Sequence, residues 1–235
     1  MVLRVASINL HCGLDRRAEP YSVKQAVAAL DADVILIQEN WRPDDGTGLA
    51  ATAAADCAYP HVAERELVSG RTPVELEIVR GDSPALATRG SWGLAVISRV
   101  PWTRAGEIAI GAARGDVVGP RYAQVVQIGG LRLVNVHLTH RLAHGPAQLR
   151  ALLAGLAGDD TPTVIAGDLN MCRPTIALAR PYRPVARGRT WPAHLPLAQL
   201  DHVLAGPGVT VTDARVGPAV GSDHLPVLVS VAPAG

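Results

Sequence analysis

The sequence has no phenylalanine, a single lysine (Lys24) and only three cysteines. Aromatic residues make up 3% of it and charged residues 18%. Cys12, Cys57 and Cys172 are odd in number, and no pair has metal-finger spacing. They indicate free thiols in a reducing compartment, not a disulfide framework. No apolar run is long enough to cross a bilayer. The opening Met1–Asn9 lacks the basic head, long apolar centre and small-residue cleavage site of a signal peptide. A cytoplasmic protein without membrane insertion is therefore expected. The formal net charge of +1 provides no global field for nucleic acid or membrane. Every strong base other than Lys24 is arginine. That bias matches a genome rich in G and C, yet it matters locally, because arginine grips phosphate bidentately where lysine is a point charge.

What is present is core-forming material. At 235 residues and 48% hydrophobic content, the chain can bury one large core. One domain spanning 1–235 is expected, as a monomer. No internal repeat is visible. Val2–Leu10 and Asp33–Glu39 read as buried strands, with a helix over Ser22–Leu30 between them and Ser22 as its N-cap. Leu49–Cys57 reads as a second helix and His61–Arg80 as a hairpin turning at Gly70–Pro73. Ser91–Ser98 is a strand and Ile108–Gly119 a glycine-rich loop. Tyr122–Ile128 and Leu131–Leu138 flank Gly129-Gly130, a hairpin signal. A helix over Gly145–Leu156, a strand over Thr163–Leu169, a long loop over Met171–Pro196 and strands over Asp201–Leu204, Val209–Val216 and Pro226–Val231 complete the chain. Short strands with single helices between them suit two packed sheets with helices outside.

Polar motifs sit at the ends of these strands. Glu39 closes Val34–Ile37; a carboxylate there needs a partner, either a hard cation or a surface salt bridge. Asp168 and Asn170 alternate around Leu169 after Gly167, offering a carboxylate for a water and a carboxamide for an oxyanion, or only a polar turn. Asp223-His224 and Asn135-Val136-His137 add two imidazoles, and Asp201 is placed to orient one of them. His11, His61, His140, His144, His194 and His202 lack such context and read as surface or structural.

Taken in order, Ser7-x-Asn9, Gln38-Glu39, Gly93–Ser98, Asn135-x-His137-Leu138, Gly167-Asp168-x-Asn170, Leu200–Val203 and Ser222-Asp223-His224-x-Pro226-Val227 resemble the endonuclease/exonuclease/phosphatase superfamily over nearly the whole chain. The resemblance implies an α/β fold of DNase-I-like type, a four-layer α/β/β/α sandwich of two packed mixed sheets with helices outside. It implies Mg²⁺-dependent hydrolysis of phosphate esters by in-line attack of water, with Mn²⁺ as a substitute. Glu39 is then the principal metal ligand, Asp223 a further metal-site residue, and Asn9 an assistant to metal or phosphate. Asp168 positions or deprotonates the water, Asn170 binds the scissile phosphate, His137 and His224 contact it, and Asp201 orients a histidine. Arg121, where relatives often carry a base, is either a phosphate contact or a solvated strand-end charge.

The stretch Met171–Trp191 holds Arg173, Arg180, Arg183, Arg187 and Arg189 with Tyr182 and Trp191, and no acidic residue. That composition suits DNA or RNA, making a nucleic-acid phosphodiesterase or endonuclease the first expectation. The compact chain suits a small organic phosphate ester as the alternative. A catalytically inactive binding module is the third reading, and the intact motif set argues against it.

Overall fold

The computed structural model describes residues 1–79 and 84–235. One sheet contains β1 (Leu3–Asn9), β2 (Val34–Pro43), β3 (His61–Arg71), β4 (Gly90–Ser98), β11 (Val209–Val216) and β12 (Val227–Pro233), in the order β11-β12-β1-β2-β4-β3. The other contains β5 (Arg104–Ala112), β6 (Pro120–Ile128), β7 (Leu131–His137), β8 (Thr163–Asp168), β9 (Arg183–Pro184) and β10 (Asp201–Ala205), in the order β5-β6-β7-β8-β10-β9. Each sheet is built round one parallel pair, β1 with β2 and β7 with β8, flanked by antiparallel neighbours.

A parallel pair needs a crossover, and a helix supplies each one. Helix α1 (Val23–Leu30) joins β1 to β2, and α3 (Gly145–Leu156) joins β7 to β8. Val23, Ala26, Val27 and Leu30 give α1 a buried stripe, and the Ser22 side chain accepts from Gln25 N–H at its start. With α2 (Leu49–Asp56), α1 covers the outer face of the first sheet. Helix α3 covers the outer face of the second. Between the sheets lies a layer of aliphatic side chains from both, including Leu3, Leu36, Val126, Leu133, Val164 and Val229. These four layers are the expected sandwich.

Two expectations are corrected. His61–Arg80 is not a hairpin: His61–Arg71 is one edge strand paired with β4, and the chain then leaves the sheet through turns. Its alternation found a partner in β4, not in its own continuation; Arg80 itself lies outside the described residues. Arg104–Ala112 is a strand where Ile108–Gly119 reads as loop. As an edge strand bonded only to β6 it is mostly exposed, so its glycines carry no packing penalty. The hairpin at Gly129-Gly130 forms as expected, with φ of 58° and 80° at the two glycines, the sign required at both centres of a tight hairpin turn.

Candidate active site

Strand ends from both sheets meet at one rim. In the second sheet Asp168 pairs in register with both His137 and Asp201, so the ends of β7, β8 and β10 lie abreast. In the first, Asn9 lies opposite Gln38. Glu39 owes its position to a β-bulge. The β2–β4 register shifts between Ile37 and Asn40, and Glu39 adopts a left-handed φ of 52°. The strand continues beyond Glu39 to Pro43, and the bulge re-aims one carboxylate out of the ladder. Gly167 has a different reason to be glycine: a Cβ there would stand 1.8 Å from the Val136 carbonyl oxygen. Close approach of β7 and β8 is what sets Asp168 beside His137.

The residues form one buried network. Asn9 Nδ2 donates to Glu39 Oε1 (3.1 Å) and to Asp168 Oδ2 (3.2 Å), tying the two sheets together. His224 Nδ1 bonds Asp201 Oδ2 at 2.8 Å, turning Nε2 toward Asp168 Oδ2 (3.8 Å) and Asp223 Oδ1 (3.9 Å). Ser222 Oγ donates to the Asn9 carbonyl (2.6 Å) and accepts from His224 N–H (3.1 Å), pinning the last motif to the first strand. Asn170, at φ 50°, donates its backbone N–H to Asp168 Oδ1 (2.9 Å) and its side-chain amide to the Leu138 carbonyl (2.9 Å) and to His137 Nε2 (3.1 Å).

Burial sets the protonation states. Burial pushes the Asp168 carboxyl up to about 7, against the pull of the His224 imidazolium. Burial alone would lower His224, but the carboxylates of Asp201 and Asp168 outweigh it and hold this imidazole well above its ordinary range. His137 goes the other way: burial first, then the positive charges of Arg121 and His224, push it well below. The site thus holds one imidazolium, one neutral imidazole and a carboxyl poised near neutrality.

All the sequence-derived site residues converge here except in one respect: Arg121 reaches the cleft wall, but its donors are engaged. The guanidinium bonds Asp116 through Nε (3.0 Å) and the His137 carbonyl through Nη1 (3.1 Å), and lies over the Trp92 ring at 5.2 Å. It is buried and holds the end of β7. Gln38 and Asn135 lie beneath the rim as an inter-sheet tie. Gln38 Nε2 donates to Asn135 Oδ1 (2.7 Å), and Asn135 donates to the carbonyls of Ile37 and Ala95.

Sequence reasoning passed over His11 and His140, which line the cleft. His11 N–H donates to Asn9 Oδ1 (2.9 Å) and its Nδ1 lies 3.6 Å from Asp223 Oδ1. The signal was its place two residues after Asn9, in the turn that leaves β1. Trp191 was singled out only as part of the arginine stretch; its Nε1–H donates to Asp223 Oδ2 at 3.1 Å. His202 is structural as expected, bonded to the Met171 carbonyl at 2.8 Å.

Asp168, Asp201 and His224 offer ligand atoms within 4.8 Å of one another, a possible cation site. The tight bond between His224 and Asp201 uses two of those groups on each other. Two other carboxylate oxygens, Glu39 Oε2 and Asp223 Oδ1, are buried with no hydrogen-bond partner among the described residues. Buried carboxylate oxygens left unpaired are costly, and oxygen donors of this kind suit a hard divalent cation.

The model of the endonuclease/exonuclease/phosphatase family matches residues 6–224. The chain belongs to this family. It is a hydrolase of phosphate esters. No match is found among curated proteins. Among solved structures, it resembles an endonuclease/exonuclease/phosphatase from Beutenbergia cavernae, at 22% identity and a TM-score of 0.74, covering 100% of this chain and 72% of that one. A family protein from Leptotrichia buccalis superposes with a TM-score of 0.73 at 12% identity, over 97% of this chain and 99% of that one. The mannosyl-6-phosphatase Bt3783 of Bacteroides thetaiotaomicron does so with a TM-score of 0.64 at 14% identity, over 97% and 99%. These likenesses show the fold. Among the described residues, no helix is long and apolar enough to cross a membrane.

Proposed function

We propose that this family member is a Mg²⁺-dependent phosphodiesterase that cuts a nucleic-acid strand, Mn²⁺ serving as a substitute. The observation that carries the hydrolytic reading is the set of Asp168, His224 and Asp201 buried together, with both Asp168 and His224 raised, the carboxyl by burial and the imidazole by the carboxylates beside it. Glu39 and Asp223, with Asn9 beside them, would hold the cation, which supplies Lewis-acid stabilisation to the phosphate oxygens when bound. Asp168 lines the cleft, and a carboxyl near neutrality is matched to taking the proton of an attacking water. The His224 imidazolium presents Nε2–H to the charge that develops on the phosphate, while Asp201 keeps it protonated and aimed. Both N–H groups of Asn170 are engaged, so a phosphate oxygen would replace His137 Nε2 as acceptor of one of them. Neutral His137 is suited to that exchange, and Arg121 acts by holding His137, not by touching phosphate. Free thiols at Cys12, Cys57 and Cys172 fit the cytoplasm as its compartment.

A second reading, a compact organic phosphate ester, is favoured by the cleft lining. The cleft holds about 320 Å³, and among the described residues Arg121 is the one arginine lining it. The test is hydrolysis across plasmid, RNA, bis-p-nitrophenyl phosphate and sugar, inositol and nucleotide phosphates, each with Mg²⁺, Mn²⁺ or chelator and beside Asp168→Ala. Metal-dependent strand cleavage lost in the variant supports the polymer reading. Phosphate release from one small ester, with polymers intact, replaces it by the second.

A further inference from the structure

The arginines of the Met171–Trp191 stretch are not taken up by the catalytic cleft, and they lie close together with no acidic residue among them. Eight arginines in other parts of the chain, from Arg4 to Arg215, lie within 4.0 Å of a carboxylate. Among the described residues no carboxylate lies that close to Arg173, Arg180, Arg183, Arg187 or Arg189, and the sequence has no acid between Asp168 and Asp201. A genome biased toward arginine would place arginines throughout. Other described arginines, among them Arg16, Arg104 and Arg150, also lack a carboxylate within 4.0 Å, but they are scattered, whereas here five lie between 173 and 189 with no acid among them.

Strand register places that stretch. Arg183 lies opposite Ala205, and Ala205 opposite Val164, whereas Asp201 and Asp168 pair at the catalytic end of the same ladder. The two ends are separated by about 13 Å of strand. At the far end Arg173, Arg180, Arg183 and Tyr182 line an open groove of about 720 Å³, with no carboxylate in its wall among the described residues. Asp159 and Asp160 lie in the adjoining hollow and bound the basic face on that side; Asp159 is already paired with Arg132. From the groove the chain climbs beside β10, Val185 N–H bonding the Val203 carbonyl, and leaves Arg187 and Arg189 exposed before reaching Trp191 at the cleft.

We propose that this groove is a second, non-catalytic site that grips the phosphate chain of a single-stranded nucleic acid, which then passes Arg187 and Arg189 to the cleft. The inference rests on the polymer reading of the active site and names how the polymer is held. Guanidinium forks grip successive phosphates bidentately, and the half-buried Tyr182 ring offers a face for a base, which an open strand presents and a duplex does not.

The test is equilibrium binding of the full chain to a labelled oligodeoxythymidylate in chelator, read by fluorescence anisotropy over a salt series. Arg180→Glu with Arg183→Glu is expected to raise Kd about tenfold or more and to flatten the log–log salt slope by about 1.4, two contacts at roughly 0.7 each. Arg150→Glu, on the exposed face of α3, is the control and leaves both unchanged. Hydrolysis of bis-p-nitrophenyl phosphate keeps its kcat in every variant, because none of these residues lies in the cleft. No oligonucleotide binding by the parent chain, an unaltered Kd in the double variant with a native thermal melt, or an equal loss in Arg150→Glu would each overturn the site. Poly-glutamate competing as well as the oligonucleotide would overturn its assignment to nucleic acid. Binding that behaves as expected while polymers stay uncut would fail the active-site reading instead.

Discussion

The two ends of β8 and β10 carry charge in opposite ways. At the Asp168 end, polar and charged side chains are buried against one another: Asn9 against Glu39, His224 against Asp201, Arg121 against Asp116. At the Arg183 end, Arg180 and Arg183 are exposed with no carboxylate within 4.0 Å among the described residues. Burial makes charges interdependent, so that moving one shifts the protonation of the rest; that is a requirement for chemistry. Exposure leaves charges independent and available, at little energetic value to the fold; that suits binding. Substitutions at the buried end should therefore be large and coupled, and those at the exposed end small and additive.

The largest effect is expected from Asp168→Ala. Removing the carboxyl proposed to orient the water, which also accepts from Asn9 Nδ2, should lower kcat by about a thousandfold or more with the fold intact. Steady-state rates beside a circular dichroism spectrum check it; a loss under tenfold would remove Asp168 from the mechanism. Gly167→Ala comes next and acts on stability. Its Cβ would meet the Val136 carbonyl oxygen, a backbone atom, at 1.8 Å, so β7 and β8 must part. A cost of about 3 kcal/mol is expected, with Tm lower by roughly 6–12 °C. Gly106→Ala, where a Cβ would meet nothing within 4 Å, is the contrast and should leave Tm nearly unchanged.

These two glycines also mark what the sequence could and could not disclose. Strand cores such as Val34–Ile37 and Thr163–Ala166 are buried on both faces and read as apolar runs, and the α1 stripe reads from its spacing. The site residues were legible because each closes such a run. Edge elements were not: β5 has solvent on one side and alternates weakly, and β3 pairs with a strand about 30 residues away. The bulge at Glu39 was also hidden, since a register shift belongs to two strands at once. Arg121 illustrates the same limit. Its residue type suggested phosphate, but its partners, Asp116 and a backbone carbonyl, are fixed only by the fold.

The subtlest effect is expected from Asp201→Asn, which keeps the shape of the network and removes one charge. His224 would keep a hydrogen-bond acceptor but lose its nearest anion, so its protonated form would be held less strongly. A fall in kcat of about tenfold to a hundredfold is expected, typical of losing a group that orients another. The alkaline limb of the pH–rate profile should move to lower pH. Stability follows with a definite sign. The folded-state value of His224 is raised, so the Asp201 pairing stabilises the fold fully below the ordinary histidine range, near 6.5, and is lost as pH rises through the raised value. The difference in urea stability between parent and variant should therefore be wide at about pH 5.5 and should narrow toward alkaline pH. A gap that is flat over that range would mean that Asp201 holds a neutral imidazole, and the assignment of the charge to His224 would have to be abandoned.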